Sequence, residues 1–286
     1  MDYSIKEQYV VGSKSYTAVA INCAAKAGEW IKSKVGAHQN LSLKHSPQDL
    51  VTEVDKGAEK LIRNLVETHF PDHSFLGEEG VEPGPEASRR ALLGMKDEEY
   101  LWIVDPIDGT TNFVHTFPYF CVSIALAHRG EVIVGVVYDP MHDEMFVAEK
   151  GKGTYVRGKK ANVSAEGKLS DSLLATGFPA DPTVNLPLNL LGTQALAPQV
   201  RNIRSVGSAA LHLAYVSAGR LSGFWEIGLN AWDIAAGALL VQEAGGRVTD
   251  TKGRPFTLEV RNILATNGHI HDELAGALDR AQAAEL

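Results

Sequence analysis

Residues 101–115, LWIVDPIDGTTNFVH, join a run of apolar residues to two closely spaced carboxylates. The apolar run predicts a buried strand that brings Asp105 and Asp108 to its carboxyl end. Pro106 lacks a backbone N–H that could have bonded to these acids, and two neighbouring carboxylates raise each other's pKa. Because a cation between the two acids would remove this repulsion, the stretch predicts a metal site.

The residues that follow Asp108 predict an anion site beside the metal. Gly109 lets the backbone approach a ligand closely, and a helical turn beginning at Thr110 would point free N–H groups at an anion. Carboxylates and backbone carbonyls, such as that of Ile107, are ligands that suit Mg²⁺ or Mn²⁺. A metal site next to an anion site indicates a phosphate ester, whereas the alternative is an ordinary turn capped by threonine.

Two more acids are candidates, and each has a simpler interpretation. Glu78 follows a predicted short strand, but most glutamate pairs in loops are only solvated charges. Asp233 begins an apolar helix, where it and Asn230 could form a helix-capping pair. Asp55 opens a predicted helix three residues after Thr52, and this pattern alone favours a capping box rather than catalysis. The sequence pattern alone leaves these alternatives open.

Composition limits the class of protein. The chain has 286 residues, of which 44% are hydrophobic, so it can bury a large core. Its net charge of -8 argues against general nucleic-acid binding, which usually shows as basic patches. The two cysteines are far apart and suit free thiols in a reducing compartment. The sequence has no signal peptide and no membrane-spanning run, which predicts a cytoplasmic protein without membrane contact.

Hydrophobic periodicity predicts a protein of mixed helices and strands, of the α/β (α+β) class, with two interlocked lobes. Apolar residues recur at helical spacing in two N-terminal segments, and tight turns separate a series of short apolar runs that predict an antiparallel meander. Further helices and strands follow residue 185. The predicted segments are helices at 16–31, 53–69 and 269–285, a strand at 100–104 and the meander at 120–157.

The chain resembles the inositol monophosphatase family. The resemblance rests on several separated motifs in the family's order and extends over roughly residues 15 to 275. The motifs are DLVTEVD at 49–55, GEE at 77–79, WIVDPIDGTTNFVH at 102–115, IRSVGSAAL at 203–211 and WDIAAGALLVQEAGG at 232–246.

The resemblance implies a layered αβαβα sandwich of the sugar-phosphatase type, formed by a single phosphatase domain over residues 1–286. It implies an N-terminal lobe over approximately 1–185 with most metal ligands, and a C-terminal lobe over approximately 186–286 that supplies Asp233 and Glu226. It also implies two or three Mg²⁺ ions, with Mn²⁺ as a possible substitute, together with sensitivity to lithium and a homodimer.

The resemblance assigns roles to individual residues. The implied metal ligands are Glu78, Asp105, the carbonyl of Ile107, Asp108 and Asp233. The implied catalytic residues are Asp55, Thr110 and Glu78, with Asp55 and Thr110 activating the water. The implied substrate-binding residues are Gly109, Thr110, Asp108, Ala209, Glu226, Asp233 and Lys44, the last near a third metal position.

The expected function is Mg²⁺-dependent hydrolysis of a small phosphorylated sugar or polyol by metal-activated water. Inositol 1-phosphate is the leading substrate. Alternatives within the family are fructose 1,6-bisphosphatase, nucleotide bisphosphatase and NADP phosphatase activity. An alternative of another class is a regulatory partner that binds proteins.

Overall fold

The computed structural model describes residues 15–37, 41–43, 50–179 and 183–284. These residues form eight helices and fourteen strands. The helices are α1 Tyr16–Lys34, α2 Glu53–His69, α3 Pro85–Gly94, α4 Thr110–Val114, α5 Asn185–Leu196, α6 Ala209–Ser217, α7 Ala231–Glu243 and α8 His271–Arg280. The strands are β1 Leu41–Leu43, β2 Leu50–Thr52, β3 Ser74–Gly77, β4 Tyr100–Asp108, β5 Cys121–His128, β6 Glu131–Asp139, β7 Glu144–Glu149, β8 Gly153–Val156, β9 Lys159–Ala161, β10 Leu173–Thr176, β11 Asn202–Arg204, β12 Gly223–Ile227, β13 Arg247–Asp250 and β14 Asn262–Thr266.

Two large sheets organise the chain. The seven-stranded sheet has the order β3-β4-β5-β6-β7-β8-β9, so its strands follow one another in the sequence. Only β3 and β4 are parallel, and the remaining neighbours are antiparallel, which confirms the predicted meander. The five-stranded sheet has the order β11-β10-β12-β14-β13. A short antiparallel pair, β1 and β2, stands apart from both sheets.

The helices and the two sheets alternate in five layers, which confirms the αβαβα sandwich. Helices α1 and α2 cover one face of the seven-stranded sheet, and α6 and α7 fill the space between the sheets. Helices α5 and α8 cover the outer face of the five-stranded sheet. None of the described helices combines the length and the apolar character needed to cross a lipid bilayer.

Layering explains why β4 is a continuous apolar run. Trp102 and Val104 face the core under α1 and α2, whereas Leu101 and Ile103 face the core under α6 and α7. A strand with both faces covered lacks the apolar–polar alternation of a half-buried strand. Its apolar residues therefore hold the carboxyl end of β4 rigidly in the middle of the molecule.

The structure confirms the predicted N-terminal helices and the buried strand, and it corrects three boundaries. The first helix ends at Lys34 rather than at residue 31, and the strand runs to Asp108 rather than to residue 104. The C-terminal helix covers 271–280 rather than 269–285, because Asn267 accepts hydrogen bonds from the His269 and Ile270 N–H groups and holds a turn there. Strands β10 and β11 and helix α5 carried no pattern strong enough to predict. The division into lobes near residue 185 stays a prediction.

A glycine on β6 sets how closely α7 approaches the central sheet. A Cβ at Gly135 would lie 2.7 Å from the backbone oxygen of Ala236 on α7. We therefore expect Gly135→Ala to destabilise the protein by about 1–3 kcal/mol, as overpacking usually does. Gly94→Ala is the control, because nothing lies within 4 Å of its Cβ position. Urea unfolding should show the loss for Gly135→Ala alone, and equal stabilities would contradict this packing.

Candidate active site

The end of β4 does not continue as a regular strand. Asp105 pairs with Ser123 and Asp108 pairs with Cys121 on β5, and the register shifts between these two pairs. The Ile107 N–H donates to the Asp105 carboxylate over 3.0 Å. This local bulge brings Asp105, Asp108 and Ile107 to the wall of one cavity.

The N-terminus of α6 holds Asp108 in place. The Ser208 hydroxyl donates to Asp108 Oδ2 over 2.7 Å, and the Ala210 N–H donates to the same oxygen over 2.6 Å. Ser208 is also the N-cap of α6 and accepts a hydrogen bond from the Leu211 N–H. A carboxylate at a helix N-terminus is further stabilised by the helix dipole. Asp108 thus links the central sheet to α6.

A parallel strand places Glu78 beside Asp105. Strand β3 lies next to β4 with Gly77 opposite Val104. The residue that follows each of these two is an acid, Glu78 after Gly77 and Asp105 after Val104. Glu78 then begins a single 3-10 turn that ends at Gly80. Because β3 and β4 run parallel, their carboxyl ends lie at the same edge of the sheet, and so do these two carboxylates.

Glu226 comes from the five-stranded sheet, and Asp233 comes from α7 in the layer between the sheets. Asp233 lies in the first turn of α7, where its carboxylate accepts a 2.7 Å hydrogen bond from the Asn230 N–H. The capping interpretation of Asp233 is therefore right in part, yet the residue also lines the cavity. Glu226 lies on β12 and packs against Gly177, where a Cβ would come within 1.9 Å of its carboxylate.

Helix α4 begins where the sequence predicted an anion-binding turn. Gly109 precedes it with φ 101°, a conformation that favours glycine. A Cβ at Gly109 would lie 3.1 Å from the Gly207 and Tyr119 carbonyls. The Thr110 hydroxyl lies 3.1 Å from Asp55 Oδ1 and 3.1 Å from the Ile107 carbonyl. Asp55, which is buried, therefore contacts the site, although the sequence alone also allowed a capping role.

The cavity has a volume of about 280 Å³. Acidic side chains, the α4 turn and the loop before α6 form most of its wall. The lining residues are Glu78, Asp105, Ile107, Asp108, Gly109, Thr110, Thr111, Gly177, Phe178, Pro179, Gly207, Ser208, Ala209, Glu226, Gly228, Leu229, Asn230 and Asp233. Its size suits a small polar ligand.

The acids in the cavity disfavour one another's charge. Burial raises the pKa of Asp105 well above its ordinary value, and Glu78, Asp108 and Asp233 raise it further. Burial also raises the pKa of Asp108 to about 6, against the lowering effect of Ser208 and the α6 N–H groups. The pKa values of Glu226 and Asp233 are raised for the same reasons, first by burial and then by neighbouring Asp108.

The donor set fits a hard divalent cation. The converging groups are carboxylates and a backbone carbonyl, which are oxygen ligands of the type that Mg²⁺ prefers. Within the described residues no three acidic, histidine or cysteine side chains already enclose an ion-sized space. An open site of this kind suits Mg²⁺, which usually keeps several waters and binds substrate oxygens as well.

The structure brings together nearly every site residue that the sequence predicted. Asp55, through its contact with Thr110, and the predicted metal-binding and substrate-binding residues other than Lys44 meet at this cavity. Lys44 lies outside the described residues. Ala209 lines the cavity, and its backbone N–H also approaches the Asp108 carboxylate.

Sequence reasoning missed three residues that shape the site. They are Ser208, Gly177 and Asn112, whose amide donates 2.6 Å hydrogen bonds to the Tyr119 and Val206 carbonyls. The serine before Ala209 carried a helix-capping signal that could have indicated its position. Nothing in the sequence indicated that Gly177 would pack on Glu226 or that Asn112 would bridge two loops.

The buried charges should destabilise the metal-free protein. Asp105→Asn removes the most crowded of them and keeps an oxygen that can accept from the Ile107 N–H, so we expect a higher melting temperature in EDTA. A gain of 1 kcal/mol corresponds to roughly 2–4 °C at this chain length. Exposed Asp279→Asn is the control and should melt like the parent protein. A melting temperature of Asp105→Asn equal to or below that of the parent would contradict the repulsion.

Comparison with known proteins agrees with the geometry. The sequence model of the inositol monophosphatase family matches residues 13–283. An inositol-1-monophosphatase of Rhizobium meliloti is 41% identical over 264 residues, which cover 92% of this chain and 95% of the relative. The Nus factor SuhB of Pseudomonas aeruginosa is 42% identical over 254 residues, which cover 87% of this chain and 90% of the relative.

A solved structure is similar over nearly the whole fold. The extragenic suppressor protein suhB of Bartonella henselae aligns with a TM-score of 0.83 and 41% identity, covering 92% of this chain and 98% of that chain. A family match of this extent, with relatives of this identity, defines the membership of the chain. The chain therefore belongs to the inositol monophosphatase family, a family of phosphoric monoester hydrolases.

Proposed function

We propose that the chain hydrolyses a small phosphorylated sugar or polyol in a Mg²⁺-dependent reaction, with inositol 1-phosphate as the leading substrate. The observation that carries the proposal is the meeting of buried carboxylates and the Thr110–Asp55 pair at one small cavity. The name of the Rhizobium relative, an inositol-1-monophosphatase, supports the choice of substrate.

The residues that would hold two or three Mg²⁺ ions, or Mn²⁺ as a substitute, are the five predicted ligands. They are Glu78, Asp105, Ile107 through its carbonyl, Asp108 and Asp233. Mg²⁺ held by these residues would supply an acidified water molecule and positive charge that offsets the charge on phosphate oxygens. Lys44 is proposed to lie near a third metal position.

Thr110 and Asp55 are the proposed proton relay. The Thr110 hydroxyl has one proton and two acceptors at equal distance, and the carboxylate of Asp55 is the stronger acceptor. When Thr110 donates to Asp55, its oxygen can take a proton from the attacking water while the Thr110 hydroxyl proton passes to the Asp55 carboxylate. Asp55 then orients the hydroxyl and stabilises the charge that develops on it.

The remaining cavity residues are proposed to bind the substrate. The backbone at Gly109 and Thr110 would bind phosphate oxygens, because a helical turn begins there with N–H groups that lack helical partners. Glu226 and the backbone at Ala209 would bind sugar hydroxyls. Asp108 and Asp233 would contact the phosphate side of the ligand, with Glu78 beside the water.

Several further properties are proposed, of which the homodimer rests on family likeness. The chain is proposed to act as a homodimer in the cytoplasm, with no general binding of nucleic acid and no contact with a membrane. The net charge of -8 supports the last two points. The single phosphatase domain is proposed to comprise the two lobes that meet near residue 185.

There are two alternatives to the proposed function. One is a phosphatase with a different substrate, and the other is a regulatory protein rather than an enzyme. A fructose 1,6-bisphosphatase, nucleotide bisphosphatase or NADP phosphatase would use the same acids on a larger ligand. A regulatory protein-binding role is favoured by the likeness to the Pseudomonas protein named Nus factor SuhB. A scaffold has no need for a complete set of buried acids, so we expect any regulatory role to accompany catalysis. Affinity capture with Asp55→Asn bait would test whether partner binding survives without turnover.

Activity should require Mg²⁺ and fall when Li⁺ is added, because the proposed metal ligands are all oxygen atoms and include no cysteine or histidine. Phosphate release should be measured on inositol 1-phosphate, fructose 1,6-bisphosphate, a nucleotide bisphosphate and NADP. We expect the highest kcat/KM with inositol 1-phosphate. Full turnover after EDTA treatment would exclude the metal, and a preference for a bisphosphate would replace the substrate.

Asp55→Asn separates a catalytic role from a capping role. We expect kcat to fall by roughly 10²–10⁴-fold, the usual size of general-base assistance, with little change in melting temperature. Thr110→Val should lose a similar amount, and the double variant should be little worse than either, since the two act as one unit.

The control for this series is Glu53→Gln, which changes an exposed acid in the same first turn of α2. It should turn over normally. Normal kcat for Asp55→Asn with a lower melting temperature would identify Asp55 as a helix cap, and the base would have to be another group.

A further inference from the structure

Helix α2 carries a second buried acid that the proposed mechanism does not use. Glu59 lies one helical turn after Asp55, so both side chains project from the same face of α2. Both are nearly inaccessible to solvent, with 1% exposure for Asp55 and 6% for Glu59. Asp55 contacts Thr110 in the cavity, and Glu59 points to a different part of the same site.

Glu59 contacts the turn that contains Glu78. Its Oε2 accepts a 2.8 Å hydrogen bond from the Glu79 N–H. The same carboxylate lies against Gly77, where a Cβ would come within 2.3 Å of Oε2. A glycine at the end of β3 therefore leaves the space that the carboxylate needs. The residues immediately before and after Glu78 are both in contact with Glu59.

The other carboxylate oxygen of Glu59 is held by Arg63, which does not line the cavity. Arg63 Nη2 lies 3.2 Å from Glu59 Oε1, and the Arg63 guanidinium lies over the Phe75 ring at 4.1 Å from its centroid. Phe75 belongs to β3, the strand that leads to Glu78. The contacts therefore run from Phe75 on β3 through Arg63 and Glu59 to the Glu79 N–H. Both ends of this chain of contacts lie on β3 or on the turn that directly follows it.

A simple helix-surface ion pair does not account for this arrangement. Exposed pairs four residues apart on a helix stabilise by only a few tenths of a kcal/mol and need no contact beyond each other. Here one Glu59 carboxylate oxygen accepts a hydrogen bond from Arg63, and the other accepts one from the Glu79 N–H. A buried carboxylate shared in this way fixes the position of the backbone that it binds.

We propose that Glu59 is a positioning residue that holds the Glu78–Gly80 turn so that the Glu78 carboxylate stays at the metal site. The inference rests on the proposed function of Glu78 as a metal ligand. Helix α2 then sets two parts of the site at once, since Asp55 orients Thr110 and Glu59 orients the Glu78 turn. Groups that orient metal ligands typically contribute 10–100-fold to metal affinity or activity.

The test is Mg²⁺ binding by the whole protein, measured by calorimetry without substrate. We expect Glu59→Ala to bind Mg²⁺ about 10–100-fold more weakly than the parent. Glu59→Gln keeps an oxygen for the Glu79 N–H and should retain most of the affinity. Exposed Glu67→Ala on α2 is the matched control, and buried Val66→Ala controls for lost stability alone.

A double-variant cycle isolates the contact with Gly77. Gly77→Ala pushes a methyl group into the Glu59 carboxylate and should weaken Mg²⁺ binding as Glu59→Ala does. Combined with Glu59→Ala, it should add little, because the space is then open. Gly80→Ala should bind normally, since its Cβ would lie 3.5 Å or more from Arg63 and Glu59.

The outcomes distinguish this inference from the proposed function. A parent protein that does not bind Mg²⁺ would overturn the metal assignment itself. If the parent binds and Glu59→Ala binds equally well, or if the Gly77→Ala and Glu59→Ala effects are additive, the positioning role of Glu59 is wrong. Weakened binding by Val66→Ala equal to that by Glu59→Ala would also overturn it.

Discussion

Mutual repulsion among buried carboxylates is the constraint around which the site is arranged. Asp105, Asp108, Asp233 and Glu226 are largely removed from water, and each has a raised pKa because of burial and acidic neighbours. Groups of this kind are costly unless they are paired or bind metal. Among the residues that the structure describes, Arg261 lowers the pKa of Asp233, and one guanidinium cannot offset four carboxylates. A divalent cation bound among these acids would offset the imbalance.

The fold supplies the rigidity that this arrangement requires. Strand β4 is buried on both faces, and its bulge places Asp105 and Asp108 at one wall. The N-termini of α6 and α7, in the layer between the two sheets, meet the same point, and the Ser208 hydroxyl is hydrogen-bonded to Asp108. The site is assembled from two sheets and four helices, so no acid can relax without moving a packed layer, and we expect the repulsion to persist in the metal-free protein.

The sequence predicted those parts of the site for which a local hydrophobic pattern and a chemical requirement coincide. The apolar run before Asp105 predicted a buried strand because apolar side chains must leave water, and the spacing of the acids predicted a shared ligand. Glu78 lies beside Asp105 because β3 and β4 pair in parallel, and no local sequence pattern encodes that pairing. Contacts such as Glu59 with the Glu79 N–H and Gly177 with Glu226 join segments distant in sequence. Such contacts follow only once the layers are packed.

The central claim is that these carboxylates converge to bind divalent cations. The most direct measurement is a crystal structure of the protein grown with Mn²⁺, with anomalous difference density calculated at a wavelength where manganese scatters anomalously. The account predicts peaks bounded by Glu78, Asp105, Asp108 and Asp233, beside the Ile107 carbonyl. An ordered cavity without such a peak, at a Mn²⁺ concentration that supports turnover, would contradict it.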